Sequence, residues 1–234
     1  MVDQHKNRTD NRIIKSLTGI LAFLPLFYTP IIHAQNDKSN CDLGFWTNIS
    51  ITTKPLAGKW NVSYSLEYRR KDNLRAIDLW AGMVNIDYIA NSHWRVGAGY
   101  EFFLNSTQEG YLPEYRYYPE VLGSYVFQRW KASLRSRLMN TYTNWKQPHI
   151  EHRNRLKLSY LIKNAPVHPF IYAEPYNQIN SQFYQLNKIR YSIGFTYEPA
   201  NYKHSQFEIY YMIEKYHLRP FVRHVLEIDY SYSF

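Results

Sequence analysis

The chain has one cysteine, Cys41, which excludes an internal disulfide, and Lys38-Ser39-Asn40 ahead of it does not resemble the small-residue box of a lipid-modified cysteine. Glycine is sparse, at 9 residues in 234. Beyond the first segment no apolar run approaches the roughly 20 residues of a membrane-spanning helix, and the mean hydropathy is polar, −0.52. A helical membrane protein is therefore excluded. The 9 histidines do not cluster at metal-ligand spacing, so neither a metal site nor a cofactor is expected. Helical periodicity is also missing after Gln35, which leaves strands as the element to look for.

The start of the chain is a different kind of segment. Lys6, Arg8, Arg12 and Lys15 precede a short apolar stretch from Leu17 to Tyr28, and Ile31-Ile32-His33-Ala34 ends on a small residue before Gln35. That order reads as a secretory signal cut near Ala34, leaving 35–234 as the mature domain. Pro25 and Pro30 would break an anchor helix. The net charge is +9 and stays basic without the leader, a surplus that suits nucleic acid, an anionic membrane or an anionic solute. Export removes nucleic acid from those partners.

What the chain does have is rings, 18% aromatic with 23 Tyr, and, after the leader, strict alternation. Residues 60–71 read WNVSYSLEYRRK, with Trp60, Val62, Tyr64, Leu66 and Tyr68 on one face and Ser63, Ser65, Glu67 and Arg69 on the other. Eleven such runs follow one another: 42–53, 60–71, 76–89, 94–104, 115–127, 130–143, 151–162, 168–179, 184–197, 204–215 and 221–234. The breaks ANSH, QR, KNAPV and PANYK are tight, whereas NSTQEGYLPE, NWKQPHI and NSQF are longer or more polar. One meander without a linker predicts an all-β, single-domain, up-and-down antiparallel transmembrane β-barrel. Bacterial barrels of this type have an even strand number, so ten or twelve strands are expected.

Three features put the apolar face outside. Trp60, Tyr88, Trp94, Phe127, Trp130 and Tyr197 stand at strand ends beside the tight turns, as a ring girdle at a bilayer interface requires. The last run, VLEIDYSYSF, ends on Phe234 with Leu226, Ile228, Tyr230 and Tyr232 on its face, which resembles the signal read by the outer-membrane barrel assembly machinery. The opposite parity carries charge, and a midplane Arg or Lys on lipid would cost about 2–4 kcal/mol, so these groups should line a wet lumen. They are Glu67 and Arg69; Arg95 and Glu101; Glu120; Lys131, Arg135 and Arg137; Arg153, Arg155 and Lys157; Glu174; Lys188 and Arg190; Glu208 and Glu214; and Glu227 with Asp229.

The segments WNVSYSLEYRRK, WRVGAGYEFF, EYRYYPE, RNRLKLSY, KIRYSIGFTY and the SYSF end together resemble an uncharacterised family of bacterial outer-membrane β-barrels, the domain of unknown function DUF2490. The likeness spans nearly the whole mature chain. It implies the fold and the outer membrane as location, and no activity. Pro119 with Tyr117-Tyr118 departs from the family's more charged pattern, so no functional residue is carried over there.

Pairing the runs 130–143 and 151–162 across their break sets Arg137 near Arg155 and Arg135 near Lys157, with Glu120 and Glu174 on the flanking strands as the neutralising carboxylates. The same reading sets Lys188 near Glu214. Either the interior is a salt-bridged filling, or Arg135, Arg137, Arg153, Arg155 and Lys157 form a basic stripe that favours small anionic solutes in a narrow porin-like channel. A structural barrel without transport stands beside that. An enzyme is not expected: a lipid hydrolase needs Ser, His and an orienting group together near the rim. In the sequence His152 has no evident lipid-facing serine beside it, His168 and His204 abut tight turns, and Arg223-His224-Val225 lacks a hydroxyl.

Overall fold

The structure, a computed structural model, describes residues 40–53, 58–144, 147–179, 184–200, 202 and 204–234. The signal segment and its cleavage position lie outside those residues. Every described element is a strand: β1 (Cys41–Thr53), β2 (Trp60–Lys71), β3 (Ala76–Ile89), β4 (Trp94–Thr107), β5 (Gly110–Phe127), β6 (Trp130–Tyr142), β7 (His149–Tyr160), β8 (Val167–Ile179), β9 (Tyr184–Tyr197), β10 (Ser205–Tyr216) and β11 (Val222–Ser233). Each pairs antiparallel with the next, and the sheet closes on itself as a barrel.

The closure corrects the even strand number. Successive hairpins reverse direction, so eleven strands leave β1 and β11 running the same way, and they can close only as a parallel pair. They do so from Cys41 opposite Val222 to Thr52 opposite Ser233. The ends of the seam are tied by Val222 N–H to the Asn40 carbonyl at 2.9 Å and by Phe234 N–H to the Thr52 carbonyl at 3.0 Å. β1 is thus a full wall strand, with its own antiparallel ladder to β2 on the other side.

The polar stretch 105–114 is not a long loop. β4 and β5 stay paired through Thr107 opposite Gly110, and Gly110, at φ 125°, supplies the left-handed residue that closes so tight a turn. Asn105 and Thr107 hydrogen-bond the Leu112 and Gly110 carbonyls, so their polarity serves the hairpin. The C-terminus and the turns at 90–93 and 128–129 share one end of the barrel. The turns at 72–75 and 108–109 mark the other.

The register predicts a direct check of the seam. In a Cys41→Ser background, cysteines at Thr47 and Ile228, which face each other across β1 and β11, should oxidise to an intrachain disulfide seen as a mobility shift on non-reducing gels. A shift for Thr47 paired with Tyr230 instead would refute the register.

Candidate functional site

Inward and outward parity hold along the strands except at bulges at Asp78 in β3 and Asn187 in β9, and the two faces differ in kind. Inside, the centre is filled by Trp46, Phe103, Tyr118, Met139, Phe170, Tyr172, Tyr176, Tyr210, Met212 and Val225, all buried. The wet lumen expected from the charged parity is therefore replaced, at mid-barrel, by a packed and charged interior. Gly99 faces inward to admit Tyr118: a Cβ there would lie 2.4 Å from the Tyr118 ring.

The β6–β7 register is shifted by two from the expected one. Arg135 faces Arg155, Arg137 faces Arg153, and Lys157 faces Ser133. A shift of two keeps every side chain on its face, so alternation alone cannot detect it. The like-charge rows persist, and carboxylates from the flanking strands neutralise them. Glu174, at 0% exposure, accepts from Arg135 at 3.0 Å, Arg153 at 3.2 Å and Arg155 at 3.0 Å, with Arg190 at 4.0 Å. Glu120 takes Arg137 at 2.6 Å, and Glu101 lies 3.5 Å from the same guanidinium. Lys157 reaches Glu208 at 2.6 Å.

The same cations lie over rings: Arg137 on Tyr118 at 4.2 Å, Arg153 on Tyr176 at 4.4 Å, Arg155 on Tyr172 at 4.4 Å and Lys157 on Phe170 at 3.7 Å. Rings and carboxylates thus share each charge and leave the interior packed and cross-linked.

The other inward groups complete this lattice. Glu67 pairs with Arg69, which lies 3.9 Å over Trp46. Glu214 faces Arg190 in the register and binds it at 2.6 Å, while Lys188, expected opposite Glu214, lies diagonal yet bonds it at 3.2 Å. Glu227 is buried between Trp46 and Tyr210 in the register, and Asp229 accepts from the Tyr210 hydroxyl at 3.1 Å. Arg95, 3.8 Å from Asp87, and Lys131 are the exposed members, toward the C-terminal end of the barrel.

Sequence reasoning missed Trp46, whose size reads as apolar although its parity is inward. It also missed Arg223, which bridges Asp42 at 2.9 Å and Asp78 at 3.3 Å between strands far apart in the chain.

Outside, the six girdle aromatics and Phe234 lie at the C-terminal end. Trp60 packs on Tyr88 at 5.0 Å, Phe127 faces Trp130, Tyr197 packs on Phe207 at 6.3 Å, Phe234 on Tyr232 at 4.9 Å, and Trp94 lies against Gly123. A second belt, which the tight-turn argument did not anticipate, rings the opposite end: Tyr68 on Trp80 at 4.4 Å, Phe102 on Tyr115 at 5.3 Å, then Tyr142 and Tyr184.

Just inside that belt the structure overturns the statement that His152 lacks a serine. Ser136 Oγ of β6 lies 3.0 Å from His152 Nε2 on β7, and the Tyr184 hydroxyl of β9 lies 2.9 Å from His152 Nδ1.

The shared carboxylate predicts a large stability effect. Glu174→Gln strands three guanidiniums in a packed interior and should cost about 3–5 kcal/mol, read as a lowered urea midpoint by tryptophan fluorescence in detergent. A midpoint unchanged from wild type would remove Glu174 from this role.

No match to a curated protein was found at significant similarity. Residues 43–221, from within β1 to the turn before β11, match the family described as a protein of unknown function (DUF2490). The eleven-stranded barrel with its salt-bridged interior is thus the architecture of a member of the DUF2490 family, to which this chain belongs.

Proposed function

We propose that the chain spans the bacterial outer membrane as a closed barrel that does not conduct, held in the lipid by its outer wall and sealed by its interior. The observation that carries this reading is the composition of the outward parity. Among the described residues, outward strand positions hold no Asp or Glu, and their only cations, Arg70 and Lys215, stand at strand ends. Between the two belts Leu66 (70% exposed), Leu156, Ile171 and Ile193 project with no protein cover. Water would penalise such a band at about 25 cal/mol per Å² of apolar surface, whereas lipid does not. Strands of 12 to 18 residues exceed the roughly 9–11 needed to cross a bilayer at a tilt. The outward Leu226, Ile228, Tyr230, Tyr232 and Phe234 of the last strand suit recognition by the barrel assembly machinery.

The interior supports a seal over a porin-like passage for anionic solutes. Every cation of the proposed basic stripe already has a carboxylate within 3.5 Å, so little positive field is left to attract an anion. Eleven strands lie between the filled eight-stranded barrel and the open channel of about sixteen, and here rings occupy the difference.

The full chain should fractionate with outer membranes, run faster on gels unboiled than boiled, and give no steady current in planar bilayers. Recovery in the soluble fraction would sink the membrane reading. A steady anion-preferring current, altered by Arg135→Glu with Arg155→Glu, would replace the sealed barrel by the pore.

A further inference from the structure

We propose that Ser136, His152 and Tyr184 form an ester-hydrolysing site on the outer wall, taking acyl esters of membrane lipid; the choice of substrate rests on the membrane reading above. Ser136 stands mid-way along β6 facing outward. Asn154 is directly opposite it on β7, and His152 is diagonal, one outward position further along. The imidazole bridges two hydroxyls, Ser136 Oγ at 3.0 Å from Nε2 and the Tyr184 hydroxyl at 2.9 Å from Nδ1. With the ring proton on Nδ1 and donated to Tyr184, Nε2 turns its lone pair to the serine O–H. A nucleophile, a base and a group that orients the base are then in line. Asn154 sits beside the ring, its side-chain nitrogen 3.4 Å from His152 Nδ1, at the Tyr184 edge of the imidazole and not at the serine edge.

Position separates this group from ordinary wall decoration. A second outward histidine, His224, is likewise held by a tyrosine, Tyr211, at Nδ1, yet among the described residues no serine reaches its other nitrogen. Of these two histidines, His152 is the one whose second nitrogen is aimed at a nucleophile. Tyr184 is 60% exposed and belongs to the aromatic belt, which marks the headgroup level of a bilayer. The acyl-ester carbonyls of lipids lie just below their headgroups; Tyr184 stands at that edge, with His152 inward of it and Ser136 at the middle of β6. Their polarity is costly against hydrocarbon.

The reaction balances without redox change. Ser136 Oγ adds to the ester carbonyl carbon while His152 Nε2 takes the hydroxyl proton. The tetrahedral oxyanion collapses, the carbon–oxygen bond to the alcohol breaks, and the imidazolium returns its proton to the leaving alkoxide. Water then attacks the acyl-serine with His152 as base, the proton passing back to Ser136 Oγ. Ester and water give carboxylic acid and alcohol.

The test uses full-length protein in detergent micelles, with folding of every variant checked by its unboiled gel mobility. A fluorophosphonate probe should label Ser136, located by mass spectrometry, and fatty acid should be released from phosphatidylethanolamine in one arm or lipopolysaccharide in another; the productive arm identifies the lipid. Ser136→Ala and His152→Gln should each lower release on the order of 10³-fold or more. Tyr184→Phe, the positioning residue, should lower kcat while leaving KM near wild type, and His224→Gln should change nothing. Folded wild type that neither labels nor releases fatty acid, or Ser136→Ala with wild-type release, overturns the site. Ser136-dependent cleavage of a short-chain soluble ester with both lipid arms silent overturns the lipid substrate. Failure of outer-membrane fractionation would instead strike the reading beneath it.

Discussion

Glu174 is the group that allows β6 and β7 to lie side by side. Both strands turn arginines inward, Arg135 opposite Arg155 and Arg137 opposite Arg153, and like charges directly opposed push strands apart. One fully buried carboxylate on β8 draws three of these guanidiniums within 3.2 Å, and Glu120 on β5 holds the fourth. Both carboxylates adjoin a proline, in Pro119-Glu120 and Glu174-Pro175. At both the backbone ladder is interrupted: β5–β6 pairing skips from Tyr117 opposite Asn140 to Glu120 opposite Arg137, and β7–β8 pairing from Arg153 opposite Tyr176 to Leu156 opposite Ala173. A proline has no N–H to give the ladder. Ion pairs between side chains therefore hold neighbouring strands where the backbone bonds give way.

The cost of burying so many charges explains why rings accompany them. An arginine taken from water loses several kcal/mol of hydration, and one carboxylate contact seldom offsets that. A guanidinium stacked on Tyr118, Tyr172 or Tyr176 keeps its edge free for carboxylates while its face meets an electron-rich ring. The polar parity thereby becomes a solid core, an inversion of a soluble barrel in which the apolar parity would fill the middle. The wealth of tyrosine serves both sides: packed under guanidiniums within, and in belts without.

Side-chain parity was legible from the sequence because strand periodicity is two and the chain honours it almost everywhere; the eleven runs and the inward charges follow from that alone. Register was not, since a shift of two between β6 and β7 leaves both faces intact, and only the turn geometry decides between Arg155 and Lys157 as the neighbour of Arg135. Closure was not legible either: the β1–β11 seam joins residues some 180 apart, such as Ser50 and Tyr230, and no local pattern reports it. Trp46 was hidden by its chemistry, an apolar-looking ring on the charged face that pays off only beneath Arg69 and Arg190. The Ser136 and His152 pair was hidden by its spacing, because the serine belongs to the preceding strand and becomes a neighbour only once the hairpin register is known.

A packed interior changes where function should be sought. In an open barrel the charged lumen is the natural site, but here its groups are committed to one another and to rings, and any group diverted to a solute would leave a buried partner unpaired. Chemistry that needs a free nucleophile and access to substrate is thereby displaced to the wall. On an outer surface so rich in exposed apolar side chains, a hydroxyl or imidazole is the exception that needs a reason. Tyr211 and His224 satisfy each other and need no more. Ser136, His152, Asn154 and Tyr184 draw on three strands, and a serine completes the line at the nitrogen that tyrosine leaves open. Mutual satisfaction accounts for two polar partners on a wall; it does not account for the third.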